Sequence, residues 1–218
     1  TLTDLAVGTE GRPVTPVQYL WAISKNQVYR KKTADTEAPL QDLSVLNGPL
    51  NSQGGSLFKL ATRPDRGNDG NSKIYLAGSS HRKGAVLHFQ DSNWDAALKS
   101  ASQSDSYFGG LWLGDQNQRI VAVGSNRTAA TYAAESPIRS YTVLDSKEPN
   151  LNLNLNTVTC VDAEDIDRAT CWAAGQSGSV YLLKNQEWTR LPDSRVSKLA
   201  NNRVDLNEVE FYASLTLT

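Results

Sequence analysis

The sequence predicts an all-β fold: a β-propeller of four-stranded antiparallel blades, with four full repeats and a partial fifth. Three observations predict it. A turn motif returns four times, as Trp21-Ala22-Ile23-Ser24, Leu76-Ala77-Gly78-Ser79, Ala122-Val123-Gly124-Ser125 and Ala173-Ala174-Gly175-Gln176. Its aligned positions Ser24, Gly78, Gly124 and Gly175 fall 54, 46 and 51 residues apart, a period that marks arrays of one supersecondary unit. A second signature, apolar at its first, fourth and sixth places, precedes each copy in the same phase. Each unit also holds four strand-sized runs broken by Gly, Asn, Asp and Ser, which is the pattern of an antiparallel meander. One meander cannot bury both faces by itself, so neighbours must stack. A long β-sandwich also uses short strands, but it has no need of a phase-locked repeat.

The innermost strand of each unit carries the apolar signature. Its copies are Leu2, Leu5 and Val7; Leu57 and Leu60, with Thr62 in the sixth place; Phe108, Leu111 and Leu113; Leu155, Val158 and Cys160. A fifth copy follows as Leu206, Val209 and Phe211. The second strand carries the turn motif. The third is Val28-Tyr29, Ala85 to Phe89, Ala130 to Tyr132 and Val180 to Leu183. The fourth is Leu40 to Leu46, Trp94 to Leu98, Ile138 to Leu144 and Trp188 to Leu191. The chain therefore reads as one domain, 1–218, with blades at about 1–50, 51–104, 105–150 and 151–200 and a partial blade at 204–218.

The most complete copy is Cys171-Trp172-Ala173-Ala174-Gly175, then Gly178-Ser179-Val180-Tyr181, then Trp188. On these residues the chain resembles the irregular bacterial propeller repeat proteins, whose blades read Trp-Ala-x-Gly, Gly-x-Val-aromatic and Trp. The resemblance covers nearly the whole chain through core and turn positions. It implies a secreted, periplasmic or cell-surface binding scaffold and carries over no active-site residue. The WD40 and kelch signatures and the sialidase-type aspartate box are absent.

A length of 218 residues suits one domain with a sizeable core. The net charge of −1 argues against a nucleic-acid binder. No apolar stretch approaches membrane-spanning length. The chain contains no methionine and opens on no signal peptide, which leads to the expectation of a processed or excised chain. The two cysteines, Cys160 and Cys171, stand at matched ends of a hairpin. A disulfide there would close a ten-residue loop, contribute about 2–4 kcal/mol and place the protein in an oxidising, extracytoplasmic compartment. The other reading is a pair of reduced cysteines facing the core.

Little in the sequence speaks for catalysis, and the chain reads as no enzyme and as needing no cofactor. Its histidines are His81 and His88, and no nucleophile elbow accompanies them. Zinc spacing, a phosphate loop and a dinucleotide fingerprint are missing. Asp162, Glu164, Asp165 and Asp167 are the best cation candidates, set against the plainer reading of a solvated hairpin loop beside Arg168. The loop Asp65 to Asn71 owes its Gly and Asn to turn geometry. Sorting the loops by face leaves Lys25, His81, Arg82, Lys83 and Arg127 together without an acid. That is either a basic binding face or solubilising surface.

Three functions compete. A scaffold mediating protein–protein interaction leads, with a protein partner and an anionic or glycan ligand as its ligand classes. A lectin is second; Trp94 and Trp188 match between repeats, but the third copy offers Ile138. A five-bladed glycoside hydrolase is third. It would need axial acids, for which Asp4, Glu208 and Glu210 are candidates, yet Lys59, Gly110 and Thr157 stand at the place of Asp4. Because an open edge leaves unpaired backbone groups, the fifth copy is expected to be completed by further chain or by a partner.

Overall fold

The structure is a computed structural model. It describes residues 2–10, 17–24, 27–43, 56–64, 72–80, 83–90, 93–99, 107–114, 119–133, 136–143, 154–161, 170–184 and 187–191. It is all-β. The first sheet holds β1 (Asp4–Glu10), β2 (Val17–Ile23), β3 (Val28–Lys32) and β4 (Gln41–Asp42). The second holds β5 (Ser56–Pro64), β6 (Ser72–Ser80), β7 (Lys83–Gln90) and β8 (Asn93–Lys99). The third holds β9 (Phe108–Leu113), β10 (Arg119–Gly124), β11 (Thr128–Ala133) and β12 (Ser136–Val143). The fourth holds β13 (Leu155–Val161), β14 (Thr170–Gly175), β15 (Val180–Lys184) and β16 (Glu187–Arg190). Each is an antiparallel meander in chain order, and none closes on itself among the described residues. The expected strands of the four full units are present. The fourth run of the first unit is shorter than expected, since β4 covers two residues of the span from Leu40 to Leu46. The expected fifth unit, 204–218, lies outside the described residues.

The sheets stack in one order. β1 lies beside β5, β5 beside β9 and β9 beside β13. Three apolar cores fill the spaces between them. Trp21, Ile23, Val28 and Leu43 of the first sheet meet Leu57, Leu60, Ile74, Leu76 and Leu87 of the second. Tyr75, Ala77 and Val86 meet Phe108, Leu111, Ile120 and Ala122. Val121, Val123 and Ala129 meet Leu155, Val158, Cys160, Cys171, Ala173, Tyr181 and Leu183. Each large apolar side chain so enclosed is worth about 1.5–3 kcal/mol, which a lone meander could not collect.

The pairing explains the apolar signature. Side chains of a strand alternate in twos, so residues at the first and fourth places should point to opposite faces. In three sheets a bulge restores the phase. The register shifts between Leu57 and Lys59, between Val123 and Gly124 where β10 faces Phe108 and Gly110, and between Leu155 and Thr157. Phe58, Gly109 and Asn156 are the extra residues, and each bulge returns the signature to one face. The turn motif answers it. A side chain at Gly78, Gly124 or Gly175 would run into the carbonyl oxygen of Ser56, Tyr107 or Asn154. Gly124 and Gly175 have extended backbone, at φ −167° and −173°, so space rather than conformation demands glycine there. The first sheet pairs without a shift, and Ser24 occupies the same place.

Candidate functional site

The second-to-third-strand turns were expected to gather the basic residues, and two of them are described. Ser125–Arg127 and Gln176–Gly178 are tight hairpin turns of the same form. Both central residues take positive φ: Asn126 at 54° and Arg127 at 57°, Ser177 at 54° and Gly178 at 65°. Two left-handed residues in succession make the turn that matches strand twist. Asn and Gly suit such positions, whereas an arginine there costs about 1–2 kcal/mol. Thr128 ties the third-sheet turn by donating its hydroxyl to the Ser125 carbonyl at 2.8 Å.

Arg127 departs from the expectation. It is 4% exposed, so its side chain is enclosed rather than presented on an open face. A turn at a rim suggests solvent, but this turn lies against the start of the next sheet. Lys83, at the start of β7, is exposed. Lys25, His81 and Arg82 lie outside the described residues, as do Asp162, Glu164, Asp165 and Asp167 and the loop Asp65 to Asn71. Among the described residues, no three of His, Cys, Asp and Glu gather as a cation site.

The two turns are instead linked by uncharged polar groups. The backbone N–H of Asn126 donates to Asn154 Oδ1 at 3.2 Å. The N–H of Asn154 donates to Gln176 Oε1 at 3.1 Å, and the N–H of Gln176 donates to the Asn154 carbonyl at 2.9 Å. Tyr107 and Ser125 exchange bonds: the Ser125 N–H donates to the Tyr107 carbonyl at 2.9 Å, and the Tyr107 N–H donates to Ser125 Oγ at 2.9 Å. Burial pushes the Tyr107 hydroxyl above its ordinary range, and a hydrogen bond with the Asn154 side chain draws it partly back. The Tyr107 ring lies 4.7 Å from that of Phe58. This face therefore carries a row of amides bonded to one another, with an aromatic beside it. Sequence reasoning missed Tyr107, Asn154 and Gln176 because they lack charge. Their one signal was position, directly before a first strand or directly after a motif glycine.

The remaining candidates have packing roles. Asp4 accepts the Leu60 N–H at 2.8 Å and pairs with Lys59 Nζ at 3.6 Å, so its carboxylate joins the first sheet to the second. Thr62 adds a bond from its hydroxyl to the Val7 carbonyl at 2.7 Å. At the equivalent place, a side chain on Gly110 would press on Thr157 of β13, so glycine there allows the strands to approach closely. Glu208 and Glu210 lie outside the described residues. His88 stacks on Tyr75 with ring centroids 4.6 Å apart. Cys160 and Cys171 form a disulfide between directly paired residues of β13 and β14, and both sulfurs sit in the core between the third and fourth sheets. No helix among the described residues is long and apolar enough to cross a membrane. Comparison with known proteins gives no matching family model and no matching curated sequence.

Proposed function

We propose that the chain is a non-catalytic β-propeller scaffold that binds a protein partner in an extracytoplasmic compartment: the periplasm, the cell surface or outside the cell. The observation that carries it is the side-by-side order of β1, β5, β9 and β13, each leading a four-stranded meander. That order supports the reading of blades about an axis. It leaves the connecting turns on two broad rims, where binding groups concentrate in rigid scaffolds. The partner sits on the rim of second-to-third-strand turns, across Asn126, Gln176 and Tyr107, with exposed Lys83 and its neighbour Arg82 steering an anionic surface toward it. The disulfide supports the oxidising compartment.

The test is capture by the immobilised protein from envelope or culture-supernatant extract, alongside a glycan array. Saturable capture of a defined protein is expected, weakened when Arg82 and Lys83 are both changed to Glu. The loss should be largest at low salt, because exposed charges are screened as salt rises. Saturable glycan binding without protein capture would overturn the reading in favour of a lectin.

A further inference from the structure

The tight turn between β10 and β11 carries the triplet Asn126-Arg127-Thr128. It is the one place in the chain where an asparagine is followed, two residues on, by serine or threonine with no proline between. That is the acceptor pattern for N-linked oligosaccharide, which is carried on surface turns of chains that enter an extracytoplasmic compartment. The equivalent turn of the fourth sheet, Gln176-Ser177-Gly178, has the same pair of left-handed residues and no asparagine. Turn geometry alone therefore does not demand the triplet.

The fold singles out Asn126 within that turn. Ser125, Arg127 and Thr128 are 4%, 4% and 1% exposed, whereas Asn126 is partly exposed. At φ 54° and ψ 35° it takes the first central place of a two-residue hairpin turn, which asparagine fills at little cost. The Thr128 N–H closes the turn on the Ser125 carbonyl. The bond that ties Asn126 to the next sheet comes from its backbone N–H, donated to Asn154 Oδ1 at 3.2 Å. A substituent on Asn126 Nδ2 leaves that donor untouched. Thr128 is the reverse case: it is enclosed, and its hydroxyl donates to the Ser125 carbonyl at 2.8 Å. An enzyme that reads the threonine must therefore act before the third sheet closes.

We propose that Asn126 is the acceptor of an N-linked oligosaccharide, attached to the unfolded chain in the oxidising compartment that the Cys160–Cys171 disulfide supports. The donor is a lipid-diphosphate-linked oligosaccharide. Asn126 Nδ2 bonds to its anomeric carbon, the anomeric C–O bond breaks, the lipid diphosphate leaves, and the amide gives up one proton. Hairpin closure then sets the glycosylated asparagine at the turn and buries the threonine that directed the transfer. The oligosaccharide stands on the rim assigned to the partner. The proposal rests on the extracytoplasmic reading above and on no particular partner.

The test is mass spectrometry of the protein from its native source, before and after peptide-N-glycosidase, with a thiol count on the same sample. An oligosaccharide mass is expected on the peptide holding Asn126, removed by the enzyme to leave a deamidated Asn126. A second arm translates the full chain into microsomes that hold an oligosaccharyltransferase. The chain should gain the oligosaccharide there, Asn126→Gln and Thr128→Ala should lose it fully, and Thr128→Ser should retain it. Folded, unmodified protein offered to the same enzyme should stay bare, while the denatured chain is modified. An unmodified Asn126 in the native protein would overturn the proposal. So would an oligosaccharide that survives Thr128→Ala, or equal modification of the folded and denatured chains. A bare Asn126 beside an intact disulfide would sink the acceptor site and leave the compartment standing. A bare Asn126 beside two free thiols would sink both.

Discussion

The first and fourth sheets are built from one plan and held by different means. The first joins its neighbour partly through polar links: Asp4 to Lys59 and to the Leu60 N–H, Thr62 to the Val7 carbonyl, and Thr9 to Ser72. Its ladder runs from Asp4 to Glu10 without a shift, and Ser24 stands where the others require glycine. The fourth has the bulge, the glycine and a buried disulfide. The difference teaches that the repeat constrains a sheet most where it inserts into a predecessor. Where no predecessor is described, a serine takes the place of the glycine, and Leu2, Leu5 and Val7 are exposed.

Four changes would break or sharpen that contrast. The largest effect is expected from replacing both Cys160 and Cys171 with alanine, which should lower stability by about 2–4 kcal/mol in denaturant unfolding. An unchanged midpoint would mean that the fourth sheet is held by packing alone. Next comes the glycine place. Gly175→Ala should cost about 1–3 kcal/mol by forcing a side chain against the Asn154 carbonyl. Ser24→Ala should be near neutral, because the buried Ser24 hydroxyl has no hydrogen-bond partner. Equal effects at the two places would erase the distinction drawn between them. Asp4→Ala should cost about 1–2 kcal/mol by orphaning the Leu60 N–H, with Asp4→Asn milder, since an amide oxygen can still accept that bond. The smallest effect is at alkaline pH. The folded Tyr107 hydroxyl titrates above its ordinary value of 10.0, so the native state holds its proton longer than the unfolded chain. Its contribution is complete below that value and is lost as pH rises through the folded one. Tyr107→Phe should flatten the decline in stability above pH 10, and an identical alkaline profile would assign the decline to other groups.

The strands and their order were legible because alternation and turn residues are local signals. The cysteine pairing was legible because both residues sat at equivalent distances from one hairpin. Three things were hidden. The spacing of Leu57 and Leu60, Phe108 and Leu111, Leu155 and Val158 encodes a bulge, but only a partner strand reveals which residue is extra. Arg127 looked solvent-bound because charge is an averaged guide, whereas its burial depends on where the next sheet begins. The amide row of Asn126, Asn154 and Gln176 escaped notice because hydrogen bonding between distant turns leaves no periodic trace.

The one-way insertion of each sheet into the sheet before it also bears on how the chain acquires its structure. Every meander closes over neighbouring residues, and its apolar strand needs only a sheet already synthesised. The stack is thus suited to forming from the N-terminus onward, each finished sheet acting as the template for the next. Leu2, Leu5 and Val7 of the first sheet are exposed, and an exposed apolar strand of this kind is where a growing chain would be most prone to premature association. Amide protection that advances sheet by sheet along the chain during refolding would bear this out, and simultaneous protection of all four sheets would refute it.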